Sequence, residues 1–344
     1  MRQLKPYFKH DVLALTRKRQ GEEKLGELVD CVIADWMNDL KSTRAKFVLL
    51  GIPEDIGVRA NYGRAGAASA FRPALESFLS QQHNVFLNAS SVFVLGEVYV
   101  DDLMEQAAQL NVKQKSDMVA MRNLVAMLDD RVIAVIEKIV MAGKIPIVIG
   151  GGHNNAYGLI KGSSKALKQK ISVINCDAHL DFRDDEGRHS GNAFSCAYAQ
   201  GALKKYAVVG MHEQYNNQFA LNQFKKNADE LFYASYESIF VREDYTWAQA
   251  IKKGLGFIDQ ESCGIEIDLD AITNVPSSAK TSSGISPVQA RQFAHHSANK
   301  LHCVYLHIAE GAPVLSHLKA DNKTGKLIAY LVSDFIKACS LNKD

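Results

Sequence analysis

The sequence predicts an α/β protein: a single-domain parallel β-sheet flanked by helices on both faces, with an N-terminal helical extension. Three observations predict it. Short β-rich runs recur along the chain, helix-length stretches separate most of them, and several runs are apolar almost throughout, as strands covered on both faces are. In residues 1–45, Leu25, Leu28, Val32 and Trp36 recur at spacings of three and four without strand-like alternation, which reads as helical. Strands are then expected at Phe47 to Leu50, Val92 to Leu95, Ile145 to Ile149 and Ile171 to Ile174. Four more follow at Ala207 to Val209, Leu231 to Tyr233, Ile265 to Leu269 and Val304 to Ile308. The clearest helical stretch runs from about Leu103 to Met141. No repeat or low-complexity linker interrupts this alternation, so residues 46–344 read as one domain, and Gly/Ser-rich stretches such as 276–286 are short enough to be loops.

Composition removes several function classes. With 47% hydrophobic and 23% charged residues, the 344-residue chain is ordinary for a soluble globular protein. Forty Lys and Arg against 38 Asp and Glu leave a net charge of +2, too little for the concentrated basic face that nucleic acid requires. No apolar run approaches the ~20 residues that span a bilayer. The N-terminal residues break up their apolar positions with charge, unlike a signal peptide. Six scattered cysteines (31, 176, 196, 263, 303 and 339) form no CxxC pair, which argues for reduced thiols in a cytoplasmic protein and against a disulfide framework or zinc ribbon. Cys176 is expected in the core.

In a parallel sheet, ligands bind at the carboxyl ends of the strands, and there this chain is unusually polar. One strand is followed by Gly150-Gly151-Gly152-His153-Asn154-Asn155 and another by Asn175-Cys176-Asp177-Ala178-His179-Leu180-Asp181. A third carries Asp268 and Asp270. Donors two residues apart in extended backbone project to one side. So many carboxylates and imidazoles on one side would be strongly destabilising without a cation. Four carboxylates and two imidazoles with no thiolate suit Mn²⁺ or a similar divalent ion better than structural zinc. Their charge is enough for two ions, and a two-metal site activates water as a nucleophile.

GGGHNN, NCDAHLDFR and EIDLDAI resemble, in order, the three metal-binding signatures of the arginase/agmatinase/formimidoylglutamase (ureohydrolase) family. Gly51-Ile52-Pro53-Glu54-Asp55, Arg64-Ala65-Gly66-Ala67 and Arg72-Pro73 look like the family's first strand and the loop after it. Ser190-Gly191-Asn192, Val209 to Glu213 and Ile308-Ala309-Glu310 fall where the family has substrate-side elements. The resemblance covers about residues 46–335 and implies an arginase-like metallohydrolase domain holding two Mn²⁺ ions. It implies one ion on His153, Asp177, Asp181 and Asp268, and the other on His179, Asp177, Asp268 and Asp270, with Asp177 and Asp268 shared. Glu310 matches the carboxylate that holds a substrate guanidinium or amidinium, for which charge-assisted hydrogen bonds to a planar cation are well suited. Homo-oligomers, trimers or hexamers, are a family expectation.

Departures select a branch. Gly152 stands where arginases carry Asp, and Phe194 where they carry a proton-shuttling His; both resemble formimidoylglutamases. Asn154 replaces that branch's usual Glu, and Glu266 replaces the Ser that usually opens Ser-x-Asp-x-Asp. N-formimino-glutamate carries two carboxylates, and guanidinium forks suit them; Arg183 and Arg188, beside Ser190 and Asn192, are the candidates, and Arg59, Arg64 and Arg72 follow the first strand. The expected reaction is hydrolysis of the amidine C–N bond to glutamate and formamide, with proton delivery through Asp181, His189 or His212. Alternatives are an arginase, agmatinase or guanidino-acid hydrolase, and an inactive metal-binding homologue with a scaffold role. A one-zinc, histone-deacetylase-like hydrolase would not need the full donor set.

Overall fold

The computed structural model describes residues 3–258, 262–316 and 322–341. Ten strands form one sheet: β1 (Leu4–Pro6), β2 (Asp30–Cys31), β3 (Phe47–Gly51), β4 (Val92–Val98), β5 (Ile145–Ile149), β6 (Ile171–Cys176), β7 (Leu203–Met211), β8 (Leu231–Ser235), β9 (Cys263–Asp268) and β10 (Cys303–Ala309). All eight runs expected from the sequence are strands. Nine lie in the order β1-β4-β3-β5-β10-β9-β6-β7-β8, β2 pairs with β4 off this path, and every strand pairing is parallel except β1 with β4.

Alternation along each strand divides the core in two. Phe47, Leu49, Ile147 and Ile149 pack on one face, under the helices Phe71–Leu79, Trp247–Phe257, Pro287–Lys300 and Lys323–Leu341. Val48, Leu50 and Val148 pack on the other, under Lys115–Met141, Asn155–Leu167, Ala193–Ala199 and Gln218–Lys226. Both faces of the central strands are therefore dry, and their apolar runs follow from it. Cys176 is buried, as expected.

Two local expectations are corrected. Residues 1–45 are not helical throughout: three short helices, Lys9–Ala14, Leu25–Leu28 and Trp36–Ser42, alternate with β1 and β2, which both pair with β4. Strands of three and two residues are too short to show a period in sequence; the backbone groups of β4 draw them into the sheet. The stretch from Leu103 to Met141 is two helices, Asp101–Ala108 and Lys115–Met141. Asn111 makes the turn between them, its carbonyl side chain accepting from Lys113 N–H at 3.1 Å and its own N–H donating to Asp117 at 2.9 Å.

Strand order positions the site. β5 and β6 are consecutive in the chain, yet β10 and β9 lie between them. The loops leaving β5, β10, β9 and β6, four neighbours in a row, carry His153, Glu310, Asp268–Asp270 and Asp177–Asp181 respectively. That is the crevice at which open α/β sheets bind ligands.

Candidate metal centre

The β5 loop turns sharply. Gly150 and Gly151 have φ of 87° and 77°, a left-handed pair that a side chain would strain. Glu54, buried after β3, organises the turn by accepting from Gly152 N–H (2.9 Å) and from the side chains of Asn155 (2.7 Å) and Asn154 (3.2 Å). A Cβ on Gly152 would lie 2.5 Å from Asn154 Oδ1 and 2.8 Å from Val58. An arginase-type Asp here would force the Asn154 or Val58 side chain to give way.

His153 emerges fully buried, with Nδ1 3.1 Å from Asp177 Oδ2, 3.0 Å from Asp181 Oδ2 and 3.0 Å from Asp268 Oδ2. Nδ1 nevertheless makes no hydrogen bond of acceptable geometry. Beside it, His179 Nδ1 lies 3.5 Å from Asp177 Oδ1 and 3.4 Å from Asp270 Oδ2, and Asp270 Oδ1 is buried without a partner. Two carboxylate-rich donor sets result, His153/Asp177/Asp181/Asp268 and Asp177/His179/Asp270, each with ligand atoms within 4.8 Å of one another, and His153 also belongs to a third such set with Glu266 and His307. All six sequence-predicted donors converge, and Asp177 belongs to both sets. Asp268 joins the first set; its Oδ1 accepts the Asp270 N–H at 2.8 Å. An orphaned ring nitrogen facing three carboxylates, in an all-oxygen-and-imidazole environment, fits hard divalent cations. Burial opposes protonation of His179, but the charges of Asp270 and Asp177 outweigh it and hold the imidazole well above its usual pKa.

Hydrogen bonds orient the ligands from behind. Asn175 donates to Asp177 Oδ2 at 2.9 Å and to the Tyr206 hydroxyl at 3.0 Å, and that hydroxyl donates to Leu180 C=O. Phe194 stacks on Tyr206 (centroids 4.2 Å apart) and meets the His153 ring edge-on at 5.2 Å. It is thus a packing wall for a ligand. Asp181 and Glu310 hold left-handed backbone at φ 46° and 63°, strain that concentrates at functional positions.

A cavity of about 320 Å³ opens over the donors, lined by His179, Asp181, Arg183, Ser190, Tyr215 and Glu310, among others. Glu310 Oε1 accepts the His153 N–H at 2.9 Å and Oε2 accepts from Ser278 at 3.1 Å. Burial, and then the charge of Asp270, push its carboxyl up to about 8. Arg183, half exposed, donates to Asn61 Oδ1 at 3.1 Å. Arg64 donates to the Ser278 carbonyl at 3.0 Å, pinning the loop that touches Glu310.

Other predicted residues stand apart from the cavity. Arg188 is buried in an ion pair with Asp129 (2.8 Å), donates to Asn154 C=O and lies over the Tyr157 ring. Asn192 is fully buried, donating to Gly187 C=O and accepting from Arg188 and the His189 N–H. His189 is buried, Nδ1 accepting from Gly191 N–H and Nε2 3.2 Å from Glu186. His212 is stacked between Tyr236 (4.4 Å) and Tyr215 (5.3 Å). Arg59 donates to the Ala107 carbonyl, and Arg72 pairs with Glu76 at the surface. Sequence reasoning missed Asn61, Tyr215 and Ser278, uncharged residues of ordinary loops; Ser278 lies in the Gly/Ser-rich stretch, which carries no chemical signal of its own.

The arginase family model matches residues 45–337. A formimidoylglutamase from Rhodococcus jostii (strain RHA1) is 29% identical over 300 residues, 83% of each chain. The solved structure of Trypanosoma cruzi formiminoglutamase with Mn²⁺ superposes with a TM-score of 0.67 at 18% identity, covering 88% of this chain and 97% of that one. Formimidoylglutamase from Bacillus subtilis superposes with a TM-score of 0.73 at 16% identity over 95% of both chains. The structural likenesses are likenesses of fold; the family match spans most of the chain and agrees with the two donor sets. The chain belongs to the arginase family.

Proposed function

We propose that this chain is a formimidoylglutamase, a binuclear manganese hydrolase that converts N-formimino-L-glutamate and water to glutamate and formamide. The carrying observation is one cavity that holds Glu310 on the metal side and Arg183 at the wall, above two donor sets joined by Asp177. An amidinium group meets the carboxylate while a substrate carboxylate meets the guanidinium. The relatives named formimidoylglutamase support the same substrate.

His153, Asp177, Asp181 and Asp268 would hold one ion, and His179, Asp177 and Asp270 the other. Bound there, two such ions supply a nucleophile from water at neutral pH and Lewis acidity toward the developing charge. The chain's own residues do the rest. Glu310 orients the planar N–C–N group, fixed in turn by Ser278 and the His153 amide. Arg183, steadied by Asn61, anchors the distal carboxylate. Of the three candidate proton carriers, Asp181 alone lines the cavity, so it is the nearest route to the leaving nitrogen. His189 and His212 sit behind its walls and shape them.

Among the described residues no helix is long and apolar enough to cross a membrane, and a cytoplasmic, homo-oligomeric enzyme is the proposed form. The test is a substrate panel after Mn²⁺ reconstitution: formimino-glutamate, arginine, agmatine and guanidinobutyrate. Turnover of formimino-glutamate well above the others is expected; preference for arginine or agmatine would overturn the assignment.

A further inference from the structure

Glu266 and His307, both fully buried, lie on the Nε2 side of His153 and form with it a third possible donor set, apart from the aspartates. They face each other across neighbouring strands, since β9 and β10 pair with His307 in register with Glu266. Glu266 Oε2 lies 2.7 Å from His307 Nδ1 and 3.4 Å from His153 Nε2. Nε2 of His153 makes no hydrogen bond of acceptable geometry, and Glu266 is its nearest carboxylate. An ionised group in so dry a place needs compensating donors, and two imidazoles are what the fold supplies.

We propose that Glu266 is a positioning residue for the metal centre: it accepts the Nε2–H of His153, fixes that tautomer, and so leaves the Nδ1 lone pair aimed at the cation among Asp177, Asp181 and Asp268. His307 is the second half of the device. Its Nδ1, 2.7 Å away, donates to the same carboxylate oxygen and holds Glu266 in place. Phe194 closes the remaining side of the ring edge-on at 5.2 Å, so packing fixes the ring plane while Glu266 stands 3.4 Å from its Nε2. A ligating imidazole commonly needs such an outer acceptor. Here it comes from a side chain on β9, across β10 from the strand that leads to His153. Glu266 therefore supports metal binding. The inference rests on the metal reading above but is independent of which amidine is hydrolysed.

The test is stepwise Mn²⁺ binding to the purified full-length protein, followed by EPR, which separates one bound ion from a spin-coupled pair. Glu266→Ser is expected to weaken the His153-containing site by roughly 10- to 100-fold, while the His179-containing site changes by no more than about threefold. Glu266→Gln has the same shape and keeps an acceptor but not the charge; a loss of about tenfold is expected, and it serves if the serine variant does not fold. His307→Gln still donates to Glu266 and is expected to stay near wild type, whereas His307→Leu falls between. Proton NMR of the Co²⁺-substituted protein adds a readout that a merely structural role would not move. The exchangeable, paramagnetically shifted N–H signal of His153 should be sharp in wild type and lost to solvent exchange in Glu266→Ser. Folded Glu266 variants that bind both ions with wild-type affinity and keep that signal would overturn the inference and leave the functional reading intact. So would a third Mn²⁺ equivalent that disappears in His307→Gln, which would make the trio a cation site instead. Wild-type protein that takes up no ion would overturn both.

Discussion

Asp177 presents its two carboxylate oxygens to two different histidines, Oδ2 lying 3.1 Å from His153 Nδ1 and Oδ1 3.5 Å from His179 Nδ1. Among the described residues it alone joins the His153 and His179 aspartate sets. Asp177→Asn should therefore cost both ions at once, dropping bound Mn²⁺ from two per chain to less than one by metal analysis. The turnover number should fall by roughly 10³-fold or more, as for loss of an interaction made at the reacting centre. Removing metal from wild type should act on stability by mass action: ligand at 100 times its Kd contributes about 2.7 kcal/mol. A chelator should then lower Tm by roughly 4 °C for each ion removed, read by calorimetry, and should do little to Asp177→Asn.

Arg183 and Arg188 are five residues apart, but only the first lines the cavity. Arg183→Met should raise KM for formimino-glutamate by roughly 10- to 100-fold, the worth of a charged hydrogen bond, with a smaller change in kcat. Arg188→Ala should instead strip the partner from buried Asp129 and cost about 3–5 kcal/mol of stability. Urea denaturation separates the two; a stable Arg188→Ala enzyme with a raised KM would reverse the assignment.

His189 gives a pH signature. Burial is the main cause that pushes its imidazole down to about 4, from the ordinary value of 6.5. The folded protein then holds it neutral while the unfolded chain takes up a proton. Its contribution is fully present above pH 6.5 and is lost as pH falls toward 4, reaching about 3 kcal/mol. Urea midpoints between pH 4 and pH 7 should fall more steeply for wild type than for His189→Asn. Equal slopes would show that other groups carry the acid sensitivity.

Gly152→Asp puts the arginase residue into this loop. Its Cβ meets Asn154 and Val58 at under 3 Å, so the loop must shift and His153 with it. Destabilisation of about 1–3 kcal/mol and weakened Mn²⁺ binding are expected, in keeping with overpacking of a tight site. Relief by the double change Gly152→Asp/Asn154→Ala would identify the clash as the cause.

The central strands and the six donors were legible because each rests on local pattern: a both-faces-buried run, then donors two residues apart at its end. What was illegible depends on distant neighbours. β1 and β2 are strands only because β4 pairs with them. Whether Arg183 or Arg188 faces the cavity turns on Asp129, 59 residues from Arg188, rather than on the loop itself. Glu266 looked like a defect in its motif until β10 brought His307 beside it from 41 residues away.

The order of synthesis differs from the order in space. His153 and the Asp177 cluster precede β9 and β10 in the chain, so β5 and β6 each lack one sheet partner until those strands are made. Until then both waiting strands expose unpaired backbone toward the middle of the sheet. A chain released before residue 310 would lack the substrate-facing carboxylate and expose sticky edges at its centre, so premature termination near the end should yield aggregation rather than a weakened enzyme.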